Sequence, residues 1–320
     1  MLKPADDLVI SIVSYNTRPD LEACLRSISS SKISAPFTVI VVDNGSSDGS
    51  QEMVRESFPN VTLIESGANL GYGRANNLAL LNRPGRFYLI LNSDIMLEEK
   101  SVQILLNHME SCKETGMAMG ALFNPDGTLQ TTWAAGELTL SSVLWEQTFL
   151  SRLFPKNRVF GEYFQTYWDH KTERMLEQAC GAFLLVRADL YNELGGFDPA
   201  YFMYCEDTDL SRRVRDAGFQ IAYVPEARAI HGHGKSSEGA LRPRMVYEHN
   251  RSRCYYLEKF EGSVQARAAK AIMLAGALLR LFLWGLPGLV WPRARRRASA
   301  FAYVFQETAT IPIGPKPRTK

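Results

Sequence analysis

At 320 residues the chain is long enough for one large or two modest domains. Hydrophobic residues make up 46% of it and charged residues 22%, which predicts a packed core and excludes general disorder. A formal net charge of +2 gives no global attraction to nucleic acid, so no nucleic-acid partner is expected. The cysteines, Cys24, Cys112, Cys180, Cys205 and Cys254, are scattered and form no Cys-x-x-Cys pair, which argues against a zinc site or a disulfide framework. Residues 1–7 are polar and lack an apolar signal core, so reduced, buried thiols in a cytoplasmic protein are expected.

Residues 8–13 read as a first strand, too short to span a bilayer. Residues 18–30 have helical spacing, with Leu21, Cys24, Leu25 and Ile28 on one face. A second strand over 37–42 ends at Asp43, and a helix over 49–58 leads to a third strand over 61–64. A further helix over 72–81 precedes the run Phe87-Tyr88-Leu89-Ile90-Leu91. Apolar residues at consecutive positions suit a strand buried on both faces, and strand alternating with helix at this pitch predicts parallel βαβ units. Asn124-Pro125-Asp126-Gly127 is a turn signal, and residues 131–174 are rich in aromatic residues and read as a long loop with short helices. A strand over 182–186, a turn at Gly195-Gly196-Phe197-Asp198, a helix over 207–217 and a short strand over 221–224 before Pro225 follow.

The chemistry gathers where strands end. Open α/β sheets bind ligands beyond the carboxyl ends of their strands. The first strand ends in Ser14-Tyr15-Asn16, the second in Asp43-Asn44-Gly45-Ser46-Ser47-Asp48-Gly49, and the fourth in Asn92-Ser93-Asp94. Asp94 is a hard oxygen ligand suited to a divalent cation, though Asn-Ser-Asp also serves as a plain strand-to-loop turn. Asp43 can accept the N–H of a pyrimidine ring, and Ser and Gly beyond it can serve ribose, phosphate or the next helix cap. A second acidic cluster, Glu206-Asp207-Thr208-Asp209, opens a helix behind the aromatic run Tyr201-Phe202-Met203-Tyr204. The helix dipole favours acids there, so capping is one reading; desolvation that tunes one carboxylate as a base is the other. His231-Gly232-His233-Gly234 lies just past a strand end, where a histidine can complete a metal site. No Gly-x-Gly-x-x-Gly follows the first strand and no Gly-x-x-x-x-Gly-Lys-Ser/Thr loop occurs, which removes most of the case for dinucleotide or P-loop chemistry.

In order, Val13-Ser14-Tyr15-Asn16, Val42-Asp43-Asn44-Gly45-Ser46-Ser47-Asp48-Gly49, Asn69-Leu70-Gly71-Tyr72-Gly73-Arg74-Ala75-Asn76-Asn77 and Leu91-Asn92-Ser93-Asp94 resemble an inverting glycosyltransferase of family 2. Cys180-Gly181-Ala182-Phe183, Gly195-Gly196-Phe197-Asp198 and Glu206-Asp207-Thr208-Asp209 extend the match, which covers roughly residues 8–237. Within the family the chain is most similar to bacterial rhamnosyltransferases of cell-surface polysaccharide. The resemblance implies a GT-A fold, an αβα sandwich with a mostly parallel central sheet plus C-terminal apolar helices. It implies a glycosyltransferase domain over 1–240, with a nucleotide-sugar half (1–115) and an acceptor half (116–240); beyond it, the apolar composition of the last third predicts a helical, membrane-associated segment over 241–320. It further implies that Asp43 contacts the base and that Ser14, Tyr15, Asn16, Asn69, Arg74, Asn92 and Ser93 line the donor site. Asp94 would hold Mg²⁺ or Mn²⁺ with His231 as the preferred second ligand over His233. Asn92 stands where the family's Asp-x-Asp motif has its first acid, which removes one negative charge from the cation site. Asp207 would be the general base, supported by Glu206 and Asp209. The implied donor is a nucleotide sugar, dTDP-L-rhamnose first and a UDP-hexose second, and the acceptor a glycan on a polyprenyl diphosphate. A non-catalytic nucleotide-sugar-binding scaffold is the alternative outside the enzymes.

Residues 271–291 are almost wholly apolar, interrupted by Arg280, Gly285, Pro287 and Gly288 and followed by Arg293, Arg295, Arg296 and Arg297. Arg280 and Pro287 argue against a simple span. One or two helices in the membrane interface, with Trp284 and Trp291 at headgroup level, or a buried helix pair, fit the pattern. The expected location is peripheral, on the inner face of the plasma membrane.

Overall fold

The structure is a computed structural model that describes residues 7–131, 133, 135–232 and 243–314. The elements, in chain order, are β1 (Leu8–Ser14), α1 (Arg18–Ser29), β2 (Phe37–Asp43), α2 (Ser50–Ser57), β3 (Thr62–Glu65), α3 (Tyr72–Leu80), β4 (Phe87–Asn92), β5 (Ile95–Leu97), α4 (Ser101–Ser111) and β6 (Thr115–Phe123). Then come α5 (Leu140–Gln147), α6 (Leu150–Leu153), β7 (Arg174–Met175), β8 (Phe183–Arg187), α7 (Ala188–Glu193), α8 (Glu206–Asp216), β9 (Gln220–His231), α9 (Pro243–Glu261), α10 (Ser263–Gly288) and α11 (Pro292–Thr310). They group into two compact units. The first takes in the described residues of Met1–Gly136, Asp169–Phe202 and Glu206–Gly234; the second, those of Glu137–Trp168, Met203–Cys205 and Lys235–Lys320.

The first unit is one mixed sheet in the order β3-β2-β1-β4-β8-β6-β9-β5, with β7 beside β9. β1, β2, β3, β4, β6 and β9 run one way; β5, β7 and β8 run the other. Both faces of the central strands are covered, which is why they read as unbroken apolar runs. Leu8, Ile10 and Ile12 of β1 point into a core with Leu21, Cys24 and Leu25 of α1 and Leu105 of α4. On the other face Ser11 donates to Asn76 Oδ1 of α3 at 2.7 Å, so a buried hydroxyl is satisfied by the covering helix. Each fully buried Leu or Ile contributes about 1.5–3 kcal/mol.

Register then places the chemistry. In the parallel ladder Ser14 pairs with Asp43 and Val13 with Asn92, so three strand ends reach one rim. The sequence predicts only a short strand over 221–224, but β9 runs from Gln220 to His231. Pro225 cannot donate to a ladder; an irregularity that leaves 225–227 unpaired with β6 absorbs it, and pairing resumes at Arg228. That extension carries His231 to β5, where it pairs with Ile95.

The second unit is helical. The aromatic stretch resolves into α5 and α6, and α10 packs against α5, α9 and α11. Residues 137–168 therefore group with the C-terminal helices, whereas the division expected from sequence set them inside 116–240. Their anchor is the ion pair of Arg253, which is 1% exposed, with Glu146, Nη1 to Oε1 at 3.1 Å. Burial pushes the Glu146 carboxyl up, but the Arg253 guanidinium outweighs it and holds the pKa at about 2.

Candidate active site

At the rim, the loops after β1 and β2 are tied to each other. Asn16 sits in left-handed backbone (φ 54°); its N–H donates to Ser46 Oγ at 3.0 Å and its Oδ1 accepts from the Ser47 N–H at 2.8 Å. Ser14 is buried with its hydroxyl against Thr17 Oγ1 at 3.0 Å, and Thr17 in turn donates to Ser93 Oγ at 2.9 Å. Asn69 Oδ1 accepts from Asn44 Nδ2 and the Gly71 N–H, at 3.1 and 3.0 Å. Ser14, Asn16, Asn69 and Ser93, all expected to line the donor site, thus spend polar atoms on holding the loops. Tyr15 is 49% exposed, with its side chain open to solvent. Arg74 is exposed and anchored through Nε to the Pro199 carbonyl at 2.6 Å.

Asp43 is different. Its Oδ2 accepts from Gly45 N, Ser46 N and Gln51 Nε2 at 3.2, 3.0 and 2.6 Å. Its Oδ1 is buried with no partner among the described residues. An unmatched buried acceptor costs about 1–3 kcal/mol, and a pyrimidine N–H is a donor of the right kind to satisfy it.

The next corner is built by β5 against β9. His231 Nε2 lies 3.3 Å from Asp94 Oδ1 and 3.4 Å from Asn92 Nδ2. On the far side of the ring, His231 Nδ1 is 2.9 Å from Gln130 Oε1. The orientation of that amide is fixed, because Gln130 Nε2 donates both to Asn124 Oδ1 at 2.9 Å and to the His231 carbonyl at 3.0 Å. Oε1 therefore faces the ring, Nδ1 carries the proton, and in the neutral ring Nε2 turns a lone pair toward Asn92 and Asp94. A cation placed between that nitrogen and the Asp94 carboxylate would be held by both. A carboxylate and an imidazole nitrogen are an appropriate donor pair for Mn²⁺ or Mg²⁺. Among the described residues no three His, Cys, Asp or Glu side chains converge, so a cation there would complete its shell with water or ligand oxygens. His233 lies outside the described residues. Gly232, whose N–H donates to the Asp94 carbonyl at 2.8 Å, fixes the backbone of the corner.

The acid pair opens α8. Glu206 is 6% exposed and its Oε2 has no partner among the described residues. Asp207 accepts from the Gly181 N–H on Oδ2 at 3.0 Å and from the Thr208 N–H on Oδ1 at 2.8 Å. Burial raises the Glu206 pKa, and the adjacent Asp207 charge raises it further. Burial raises Asp207 too, but its N–H donors pull the other way. Both acids are thus held above the usual carboxylate range, and of the two Asp207, with its two N–H donors, is the better placed to carry a negative charge. Asp209 plays another part. It is fully buried against Arg213 Nε at 2.5 Å, and Arg213 donates to the Leu194 and Gly196 carbonyls, at 2.9 Å each, to lock the turn there.

Cys180 marks how these corners meet. Burial first, and then the charges of Asp207, Glu206 and Asp94, push its thiol up to about 12. Gly71, in left-handed backbone (φ 87°), lets α3 in: a Cβ there would stand 2.1 Å from the Phe202 carbonyl oxygen. The next residue, Tyr72, donates its hydroxyl to the Gly181 carbonyl at 2.7 Å, so the glycine whose N–H binds Asp207 is held from its other side as well. Gln130, Gln51 and Tyr72 were not singled out from sequence. Gln130 follows the Asn124–Gly127 turn with nothing local to mark it, whereas Tyr72 lies inside one of the motifs and was legible as a neighbour.

Residues 9–178 match the profile of Glycosyl transferase family 2. The chain is 31% identical to an N-acetylglucosaminyl-diphospho-decaprenol L-rhamnosyltransferase of Mycobacterium tuberculosis over 79% of this chain and 84% of that one. It is 28% identical to rhamnosyltransferase WbbL of Escherichia coli over 52% of this chain and 62% of that one. Among solved structures it is similar to mannosyltransferase PcManGT from Pyrobaculum calidifontis in complex with GDP-Man and Mn²⁺, at a TM-score of 0.54 and 17% identity, over 96% of this chain and 87% of that one. It is also similar to GalNAc-T7 with UDP, GalNAc and Mn²⁺, at 0.55 and 14%, over 80% and 48%. The chain belongs to glycosyltransferase family 2, and its fold is of the GT-A kind.

Proposed function

We propose that this family 2 glycosyltransferase is an inverting enzyme that moves L-rhamnose from dTDP-rhamnose to a sugar carried on a polyprenyl diphosphate. The observation that carries the catalytic reading is the geometry of the acid pair at the start of α8: Asp207 is held by the Gly181 and Thr208 N–H groups, beside a buried Glu206 whose Oε2 has no partner among the described residues. The rhamnosyl group and the diphospho-lipid acceptor follow the name of the Mycobacterium tuberculosis relative, which aligns over most of both chains.

Asp43 binds the pyrimidine through its unpartnered Oδ1, and Tyr15 and Arg74 border the donor. Asn92 Nδ2 lies 3.4 Å from His231 Nε2, and Asp94 and His231 are the residues that would hold the cation. Bound Mg²⁺ or Mn²⁺ would neutralise charge on the departing nucleoside diphosphate. Asp207 Oδ takes the proton of the acceptor hydroxyl. The acceptor oxygen bonds to C1 as the bond from C1 to the diphosphate oxygen breaks on the opposite face, and the anomeric centre inverts. The proton on Asp207 then returns to water. Glu206 stays neutral and keeps a second negative charge out of the site. The chain acts at the inner face of the plasma membrane, held by the apolar surface and basic run of its second unit.

The test is a transfer assay with dTDP-rhamnose and UDP-glucose in parallel, each with GlcNAc-diphosphate-polyprenol and Mn²⁺. Rhamnose transfer with the opposite anomeric configuration, abolished by EDTA and by Asp94→Ala, is the expected result. Turnover of UDP-glucose alone moves the donor to the hexoses. Donor binding with no turnover of either leaves a binding protein and overturns the enzymatic reading.

A further inference from the structure

The second unit contains a cavity of about 710 Å³ that the transfer chemistry does not use. Three of its walls' side chains are cationic: Arg152, Arg280 and Arg297. The rest of the lining relevant here is apolar, with Met273, Leu283 and Trp284 on α10. Its one carboxylate, Glu146, is already committed to Arg253. Its histidine, His249, is pushed down to about 3 by burial and by Arg253, so it is neutral at physiological pH. The cavity therefore carries an excess of three positive charges with no anion among the described residues to balance them.

These cations are gathered at a cost. Burial lowers the Arg280 pKa and nearby Arg152 lowers it again, with only Glu146 acting the other way. Arg280 is held in place regardless: Nη1 donates to the Gln147 and Gly276 carbonyls, at 3.0 Å each, and the guanidinium lies 4.2 Å from the centre of the Phe149 ring. Arg297 stacks over Trp284 at 4.4 Å. Guanidinium groups oriented on rigid aromatic faces are preorganised for phosphate oxygens.

Beyond the cavity the surface turns apolar. Phe282, Leu286, Leu289 and Trp291 are 61–75% exposed at the end of α10 and in the turn after it. The same helix is 26 residues long and apolar enough to cross a membrane by length and composition. A ligand that satisfies both features is anionic at its head and greasy in its tail.

We propose that this cavity is the seat of the acceptor's isoprenoid diphosphate: the arginines take the diphosphate, and the exposed end of α10 receives the first isoprene units. The proposal rests on the reading of the acceptor as lipid-linked. A diphosphate diester is doubly negative, which fits a tricationic pocket better than the single charge of an ordinary phospholipid phosphate.

The test uses the full chain with geranylgeranyl diphosphate as probe, read by calorimetry and by quenching of tryptophan fluorescence. Wild-type protein is expected to bind it at least tenfold more tightly than geranylgeraniol or inorganic pyrophosphate. Arg152→Glu with Arg297→Glu is expected to weaken that binding by tenfold or more. Arg152→Ala alone, a milder change on an exposed side chain, should give part of the loss. Thermal shift with dTDP-rhamnose and Mn²⁺ on the same samples checks that the variants are folded and reports the donor site separately. Equal affinity in wild type and double variant overturns the cavity assignment. So does equal, arginine-dependent binding of phosphatidylglycerol vesicles, which would make the region a general anionic-lipid surface. Loss of dTDP-rhamnose binding in wild type, with arginine-dependent geranylgeranyl diphosphate binding intact, sinks the donor reading and leaves this one standing.

Discussion

The rim loops and the acidic corners put their polar side chains to opposite ends. In the loops, Asn16, Asn69 and Ser93 each bond to a neighbouring loop, and Ser14 bonds within its own. In the corners, Asp43 Oδ1 and Glu206 Oε2 are buried with no hydrogen-bond partner among the described residues. Satisfied groups hold a frame; unsatisfied ones keep free energy in reserve for a ligand or a proton. A motif residue is therefore not a ligand contact by membership alone, and the structure sorts the two kinds.

That contrast can be broken experimentally. The largest effect is expected from Asp207→Asn, which keeps the shape and removes the base. Transfer should fall about 10²–10⁴-fold, the usual weight of general base catalysis, while dTDP-rhamnose binding by thermal shift holds. A fully active variant would remove Asp207 from the mechanism.

Next is Gln130→Leu, which touches no ligand in the proposed mechanism. Without the Oε1 acceptor the His231 ring loses the bond that fixes its tautomer, and Mn²⁺ affinity should drop about 10–100-fold by calorimetry or spin resonance. Unchanged Mn²⁺ binding would mean that the Gln130–His231 bond is mere packing.

Glu206→Gln sharpens the acid pair. The folded-state pKa of Glu206 lies above its unfolded value, so native protein binds the extra proton and stability is lost as pH rises toward the folded value. Gln needs no proton, so the variant's melting temperature should decline less from pH 5 to pH 8. With no charge possible beside it, Asp207 should ionise more easily, and the acidic limb of kcat/KM should move to lower pH. An unmoved limb would separate the two acids.

The smallest effect is expected from Asn16→Ala. It deletes the bond to Ser47 and leaves Ala in left-handed backbone, costing about 1–3 kcal/mol in urea unfolding with little change in kcat. A large loss of kcat at unchanged stability would return Asn16 to the donor site.

Much of this was legible in one dimension. The consecutive apolar positions of 87–91 announced a strand covered on both faces, and Leu21, Cys24, Leu25 and Ile28 announced the buried face of α1. The carboxylates were legible because the order of motifs places them at strand ends, and strand ends share a rim in a parallel sheet. The pairing of Asp94 with His231 was suggested only by resemblance, since their strands meet through a stretch of β9 that a proline seemed to close. Gln130 and the arginine cavity were invisible, because their partners lie far away along the chain; Gln130 and His231 are 101 residues apart.

The sequence by itself determined the family and the alternating architecture, since local periodicity and turn chemistry are written residue by residue. Tertiary structure alone decided which polar atoms are spent and which are left open. That depends on burial and on partners brought together by strand register and helix packing, where desolvation and a single hydrogen bond separate a scaffold residue from a reactive one.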